Sequence, residues 1–148
     1  MKKIINCKTA EDTMNLGETL AKQLEKGMTI TLSGDLGAGK THFTKGIGKG
    51  LNISKKITSP TFTILKIYNG DLPLYHFDAY RLEGVNQELG FDEYLDYDGI
   101  TVIEWPEFMS EFDIEDYLEI NITIDIDDSR NFELIAHGKE YEEILEVL

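Results

Sequence analysis

The sequence has one cysteine, two arginines and no long apolar run, and each shortage excludes a class of protein. Cys7 alone cannot form an intrachain disulfide, and it also makes a cysteine-based zinc site untenable. Residues 1–5 contain no apolar run of signal-peptide length, and no stretch approaches the roughly 18 apolar residues of a membrane helix. These absences predict a cytoplasmic protein without membrane contact.

Basic residues are also scarce. The chain has 14 Lys and Arg residues and 28 Asp and Glu residues, which gives a net charge of −14. Phosphate backbones attract basic patches, so this balance argues against DNA binding and against broad contact with RNA. A plain acidic, soluble surface accounts for the charge, and any link to RNA is expected to run through a partner protein. Arg81 and Arg130 are the only arginines, which makes each a candidate for a specific role.

The length of 148 residues predicts a single domain spanning 1–148, which can bury roughly 70% of its unfolded surface. Helices and strands interleave along it. The predicted helices cover 9–27, 41–50, 83–96 and 140–148, and the predicted strands cover 28–33, 62–68, 74–78, 100–103, 118–126 and 131–136. Asn69-Gly70 predicts a tight hairpin turn. The pattern indicates an α/β fold, a P-loop NTPase-like three-layer sandwich around a mixed, mostly parallel sheet.

A glycine-rich segment, Gly34-Asp-Leu-Gly-Ala-Gly-Lys-Thr41, matches the phosphate-loop pattern G-x-x-x-x-G-K-[ST] in full. Its backbone amides and the N-terminus of the following helix converge on an anion. The residues expected to hold the nucleotide are Gly37, Ala38, Gly39, Lys40, Thr41 and His42. Lys40 is expected to reach the β- and γ-phosphates, and the Thr41 hydroxyl to ligate magnesium. The predicted ligands are therefore ATP and Mg²⁺.

Two acids follow apolar strands, at the edge of the sheet where α/β proteins bind ligands. Asp78 follows residues 74–77, and Glu104 follows 100–103. Together with Lys40 they are the candidate catalytic residues, and Glu104 is a candidate metal ligand beside Thr41. The alternative is an ordinary polar residue at a strand exit.

Other candidates are less specific. Thr61, in Ser59-Pro60-Thr61, is placed to sense the γ-phosphate, although a plain turn would explain it equally well. Trp105 is predicted to be a core residue more readily than a site residue, and His76 has no second histidine nearby to suggest a metal pair.

Four blocks taken together resemble the bacterial ATPase of tRNA threonylcarbamoyladenosine biosynthesis, the TsaE type. They are Gly-Asp-Leu-Gly-Ala-Gly-Lys-Thr at 34–41, Ser-Pro-Thr-Phe-Thr at 59–63, Tyr-His-Phe-Asp-Ala-Tyr-Arg-Leu at 75–82 and Ile-Glu-Trp-Pro-Glu at 103–107. Leu-Gly-Phe-Asp-Glu-Tyr at 89–94 also fits that pattern. The resemblance runs from about residue 9 to 138. His42 departs from it, since threonine or serine is common there, and residues 113–118 replace a usual Leu-Pro.

The resemblance implies a function and additional site residues. It places Thr9 and Arg130 at the nucleoside end, Thr61 and Trp105 near the site, and Asp78 and Glu104 as the acids required for hydrolysis. It implies an ATPase that resets the protein complex performing the threonylcarbamoyl transfer, so that tRNA is met only indirectly.

Three other functions compete with this one. A small-molecule P-loop kinase usually clamps phosphates with several arginines, and only Arg81 and Arg130 are present. A GTPase needs an Asn-Lys-x-Asp stretch, which is missing; Asp96-Tyr-Asp-Gly99 matches Asp-x-x-Gly but precedes its strand. A nucleotide-gated binding module with negligible turnover remains open, and measuring hydrolysis with and without partner proteins separates it from an enzyme.

Overall fold

The computed structural model describes residues 1–35, 37–58, 65–80, 98–108 and 114–148. The strands in these ranges are β1 (Lys2–Cys7), β2 (Thr29–Ser33), β3 (Leu65–Tyr68), β4 (Leu74–Asp78), β5 (Ile100–Glu104), β6 (Tyr117–Ile124) and β7 (Arg130–His137). The helices are α1 (Ala10–Ala21), α2 (Lys40–Gly50) and α3 (Lys139–Val147), with a 3₁₀ turn at Pro106–Phe108. No helix among the described residues is long and apolar enough to cross a bilayer.

The strands form one mixed sheet in the order β1-β7-β6-β2-β5-β4-β3. The four central strands, β6, β2, β5 and β4, run parallel to one another, and antiparallel pairs complete both edges. The α/β class and the mixed sheet are therefore confirmed, with the parallel pairings confined to the centre. Strand β1 was not predicted, because Lys-Lys-Ile-Ile-Asn-Cys does not alternate between polar and apolar residues.

One face of the sheet carries the main core. Every second residue of a strand points to this face, and the register of neighbouring strands places these residues side by side. They are Ile30, Leu32, Val102, Leu118, Ile120 and Leu134. The apolar side chains of all three described helices join this cluster, including Leu20, Phe43 and Ile144. The helix predicted for 83–96, which would supply a further layer, lies outside the described residues.

Helices α1 and α2 approach each other closely where both carry glycine. A Cβ added to Gly17 would lie 2.3 Å from the Phe43 carbonyl oxygen, and one added to Gly46 would lie 2.1 Å from the Met14 carbonyl oxygen. Glycine in a helix costs roughly 1 kcal/mol relative to alanine. Here it permits a backbone contact that holds α2, and with it the loop that precedes α2, against α1.

This contact predicts that Gly46→Ala destabilises the protein in spite of alanine's better helix propensity. The new methyl group meets backbone rather than a flexible side chain, so α1 and α2 must separate, at a cost of about 1–3 kcal/mol. Urea unfolding measures the change. Lys49→Ala, at an exposed position of the same helix, serves as the control and should change the free energy of unfolding by less than about 0.5 kcal/mol. Equal stability of Gly46→Ala and wild type would contradict the close-contact explanation.

Two local predictions had different outcomes. Thr9 caps α1 as expected, because its hydroxyl oxygen accepts a hydrogen bond from the Asp12 amide and the Asp12 side chain accepts one from the Thr9 amide. The predicted hairpin is confirmed by the antiparallel pairing of β3 and β4, but Asn69 and Gly70 do not form a tight turn of their own. Strands β3 and β4 begin pairing at Tyr68 and Leu74, so residues 69–73 form a longer connection. A Cβ on Gly70 would lie 2.4 Å from the Leu51 carbonyl oxygen, so close packing explains this glycine.

Candidate functional site

The glycine-rich loop connects β2 to α2 at the carboxyl end of the central parallel strands. Gly37 and Gly39 have φ values of 83° and 107°, which favour glycine. Gly39 is the N-cap of α2, and no side chain caps the helix there. The first-turn amides of α2 therefore remain available to an anion, as the sequence pattern predicts. Leu36 lies outside the described residues.

Lys40 is the buried cation of this loop, with only 6% of its surface exposed. Its Nζ donates a hydrogen bond to the Gly34 carbonyl oxygen at 2.7 Å and lies 3.9 Å from the centroid of the Trp105 ring. Burial lowers the pKa of the Lys40 ammonium, and the negative charges of Glu104 and then Asp78 offset part of that lowering. The ammonium is thus held close to two acids by a neutral carbonyl and an aromatic face.

Trp105, predicted to be a core residue more readily than a site residue, has both contacts: it packs against the small apolar cluster of Phe77, Ala79 and Ile103, and its ring faces the Lys40 ammonium. Its side chain is half-buried, and it stacks on Phe108 at a centroid distance of 5.6 Å. The Trp105 backbone has φ 57°, an unusual conformation for a bulky residue, while its amide donates to the Leu32 carbonyl oxygen at 3.2 Å. This turn at the end of β5 places the indole beneath the Lys40 ammonium.

The two candidate acids are neighbours across the sheet. Asp78 and Glu104 are the last residues of β4 and β5, and they are register partners in a parallel pair. Strand β4 has β3 on its outer side, and the pairing of the two strands reaches Phe77, one residue before Asp78. Burial raises the pKa of the Asp78 carboxyl group and the Glu104 charge raises it further, whereas the Tyr80 amide, His76 and Lys40 lower it.

His76 is the site residue that sequence reasoning missed. It is 1% exposed, and its Nε2 lies 2.5 Å from Glu104 Oε2. Among the described residues no partner reaches its Nδ1. His76 and Asp78 lie two residues apart on one strand, so they share a face, and Val102 pairs with His76 as Glu104 pairs with Asp78. The shared face follows from the alternation of side chains along β4, but only the register of β4 with β5 reveals the contact between His76 and Glu104.

The functional groups of these residues suit a nucleoside triphosphate and magnesium. An ammonium has three donors, and Lys40 makes one hydrogen bond to the described residues, which leaves donors for phosphate oxygens. Thr41, at the start of α2, supplies a hydroxyl, and Glu104 supplies a carboxylate oxygen, both of which are ligands that Mg²⁺ accepts. The described residues hold no group of three or more His, Cys, Asp or Glu side chains able to bind a metal. Magnesium would therefore take most of its ligands from water and phosphate.

A cleft of about 170 Å³ lies beside the loop. Its lining residues are Cys7, Lys8, Thr9, Ala10, Thr13, Gly37, Gly39, His42, Asp128 and Arg130. It brings together Thr9 and Arg130, which the resemblance placed at the nucleoside end, although 121 residues separate them in the chain. Arg130 Nη2 donates to the Gly37 carbonyl oxygen at 3.4 Å, which joins the β6–β7 turn to the loop. Sequence reasoning missed Cys7, Lys8, Thr13 and Asp128, because they carry no recognisable pattern.

The remaining site predictions fall outside the described residues. They are Ser59-Pro60-Thr61, Arg81 and the block at 89–94.

Comparisons with known proteins agree with the sequence resemblance. A family described as "Threonylcarbamoyl adenosine biosynthesis protein TsaE" matches residues 7–132. A "tRNA threonylcarbamoyladenosine biosynthesis protein TsaE" from Bacillus subtilis is 44% identical over 139 residues, covering 93% of this chain and 88% of that protein. One of the same description from Treponema pallidum is 45% identical over 102 residues, covering 68% and 76%. The crystal structure of Bacillus subtilis YdiB superposes with a TM-score of 0.83 at 38% identity, covering 99% of this chain and 93% of that one.

Proposed function

The chain belongs to the TsaE family of threonylcarbamoyl adenosine biosynthesis proteins, and from that membership we propose that it is a magnesium-dependent ATPase. The observation that carries the proposal is the position of Lys40. Its ammonium lies within a complete phosphate loop, on the Trp105 ring, and within the electrostatic reach of Glu104 and Asp78. A buried cation between the uncapped N-terminus of α2 and two acids provides what phosphoryl transfer to water needs, namely charge neutralisation and a group that orients water.

The loop residues bind the nucleotide. Phosphate oxygens accept hydrogen bonds from the amides of Gly37, Ala38 and Gly39 and from the first turn of α2. The Lys40 ammonium gives up its hydrogen bond to the Gly34 carbonyl oxygen and binds phosphate oxygens instead. When bound, Mg²⁺ supplies positive charge to the phosphates. Thr41 and Glu104 are the residues that would hold it. The cleft lined by Thr9, His42 and Arg130 receives the nucleoside.

The acids act on the attacking water. Glu104, buried and hydrogen-bonded to His76, keeps a fixed orientation and can orient the water and accept a proton from it. Asp78, its register partner, lies on the more exposed side of the pair and supports the same region. The Trp105 ring and the buried end of β5 limit the access of bulk water to Lys40.

We propose that hydrolysis serves a protein complex that performs the threonylcarbamoyl transfer. A small-molecule kinase usually clamps the phosphates with several arginines, and this chain has only Arg81 and Arg130. Measuring ATP hydrolysis by the protein alone and with the other proteins of this pathway tests the idea. Stimulation by the partners supports an ATPase that drives the complex, whereas equal and negligible hydrolysis in both samples favours a nucleotide-gated binding module.

We expect adenine nucleotides to bind better than guanine nucleotides. The chain has no Asn-Lys-x-Asp stretch to read guanine, and the family resemblance implies an adenine nucleotide. Competition between a fluorescent ATP analogue and unlabelled ATP or GTP, with Mg²⁺ present, measures the preference. ATP should compete at least about tenfold more effectively, which corresponds to roughly 1.4 kcal/mol. Equal or tighter competition by GTP would contradict the prediction.

A further inference from the structure

Charge is unevenly distributed along this acidic chain. Residues 36–70 contain six lysines and no Asp or Glu, although the whole chain has 28 acids. The other 113 residues therefore hold 8 basic and 28 acidic side chains, a net charge of −20, beside a segment of +6. The net charge of −14 is an average over these two unlike segments. The argument from acidity against nucleic-acid contact therefore applies to the 113 residues outside 36–70, and not to 36–70 itself.

The structure gathers four of these lysines around one depression. Lys45, Lys49, Lys55 and Lys56 line a cleft of about 280 Å³. Gly48, Ile53, Ser54 and Ile57 complete its lining. We call this site the lysine cleft. Lys45 and Lys49 lie one turn apart on α2, and the exposed Lys55 and Lys56 follow in the loop after the helix.

The lysine cleft is separate from the phosphate loop. Lys49 lies in the last turn of α2, whereas Lys40 begins the helix, so the two ends are about nine residues or roughly 13 Å apart. The nucleoside cleft beside the loop shares no lining residue with the lysine cleft. A nucleotide held by the loop therefore leaves the four lysines free to bind something else.

Nearby acids do not neutralise the lysine cleft. Glu18 lies 3.7 Å from Lys49 and also pairs with Lys22. Asp71 accepts a hydrogen bond from Asn52 at 2.6 Å. Among the described residues Lys45, Lys55 and Lys56 form no ion pair. A helix C-terminus favours one cation, which accounts for Lys49 but not for the two lysines in the loop.

We propose that the lysine cleft binds the phosphate backbone of RNA. Lysine is depleted in protein–protein interfaces, which rely on buried aromatic anchors, and no aromatic residue lines this cleft. Lysine side chains are common phosphate ligands, and such contacts position a nucleic acid without reading its sequence. The names of the relatives refer to tRNA, which has a phosphate backbone of this kind. The strongly acidic remainder of the surface repels RNA, so contact is confined to this side of the molecule.

Fluorescence anisotropy with labelled bulk tRNA tests the proposal. Binding should be detectable at about 50 mM salt and should fall with a log–log slope of about −3 up to about 200 mM, as expected for four phosphate contacts. The variant Lys55→Gln with Lys56→Gln should weaken binding about tenfold and make the slope shallower by about 1.5 to 2.

The matched control is Lys26→Gln with Lys139→Gln, which removes the same charge from exposed positions outside the lysine cleft. It should lose less than about twofold in affinity if the location of the charge matters rather than its amount. Both double variants should retain ATP affinity and thermal stability, since neither changes the phosphate loop or the core.

Three results would overturn the proposal. The first is absence of tRNA binding at low salt, and the second is equal loss of binding in both double variants. The third is competition by poly-glutamate as effective as competition by unlabelled tRNA, since that would make the lysine cleft a docking site for an acidic protein. Sedimentation velocity at low salt adds a check, because self-association lost with Lys55→Gln and Lys56→Gln, in a protein that binds no tRNA, would assign the cleft to a second copy.

Discussion

Replacing Lys40 with alanine is expected to abolish productive nucleotide binding. The backbone amides of the loop donate hydrogen bonds but carry no full charge, so they cannot neutralise the phosphates alone. Without the ammonium, the site also places phosphates beside Glu104 and Asp78, whose charges act on Lys40 in the wild-type protein. We expect the affinity for ATP with Mg²⁺ to fall at least about 100-fold, or roughly 2.7 kcal/mol, as measured by calorimetric titration.

The experiment must separate lost binding from lost folding, since Lys40 is buried. Lys40→Met keeps an unbranched apolar stem that can lie on the Trp105 ring, while it removes the charge and the hydrogen bond to the Gly34 carbonyl oxygen. Thermal unfolding without nucleotide reports the stability of both variants. Lys26→Ala, at an exposed position, serves as the control for a general loss of charge. Affinity close to wild type in Lys40→Met would show that the ammonium does not hold the phosphates.

The phosphate loop could be predicted from sequence because its chemistry is local. The backbone turn, the Lys40 side chain and the N-terminus of α2 all lie within about ten consecutive residues, so spacing alone specifies their arrangement. The strands that end at Asp78 and Glu104 were predicted in the same way, from apolar runs that stop at an acid. That these acids are register partners follows from the strand order, which local pattern does not contain.

Contacts between distant segments explain what sequence reasoning missed. His76 and Glu104 are 28 residues apart, and nothing around His76 in the sequence marks it as the partner of an acid. Strand β1 has little alternation of its own and is held by its pairing with β7, at the other end of the chain. Gly46 suggested a weak helix from propensity, whereas the structure shows that it permits the contact with α1.

The cleft beside the phosphate loop could not be derived from residue patterns. Thr9 performs an ordinary capping function, and Arg130 follows a turn, so neither differs locally from a surface residue. The family resemblance supplied both, and the structure places them on one cleft with His42. In contrast, the lysine cleft does have a local signal in the sequence, because residues 36–70 contain no Asp or Glu. The net charge of the whole chain does not show this signal.

Glu104→Gln is expected to separate nucleotide binding from hydrolysis. Affinity for ATP should stay within about tenfold of wild type, roughly 1.4 kcal/mol, because the loop amides and Lys40 are unchanged. Glutamine also keeps an oxygen that can accept the hydrogen bond from His76 Nε2, so the end of β5 should keep its structure. Turnover should fall at least about 100-fold, since the amide cannot accept a proton and is a poorer ligand for magnesium and its waters.

Affinity and partner-stimulated hydrolysis should be measured on the same preparations, with Glu107→Gln as the matched control. Glu107 is exposed and lies three residues beyond Glu104, and its charge also acts on Lys40, so it reports the effect of removing one negative charge from this region. Asp78→Asn should be measured in the same experiment, because Asp78 is the register partner of Glu104. Unchanged turnover in Glu104→Gln would make Glu104 a structural residue at a strand exit, and loss of both quantities would place it in nucleotide binding. Equal losses in Glu104→Gln and Glu107→Gln would mean that the summed charge around Lys40, rather than a carboxylate positioned by His76, sustains hydrolysis.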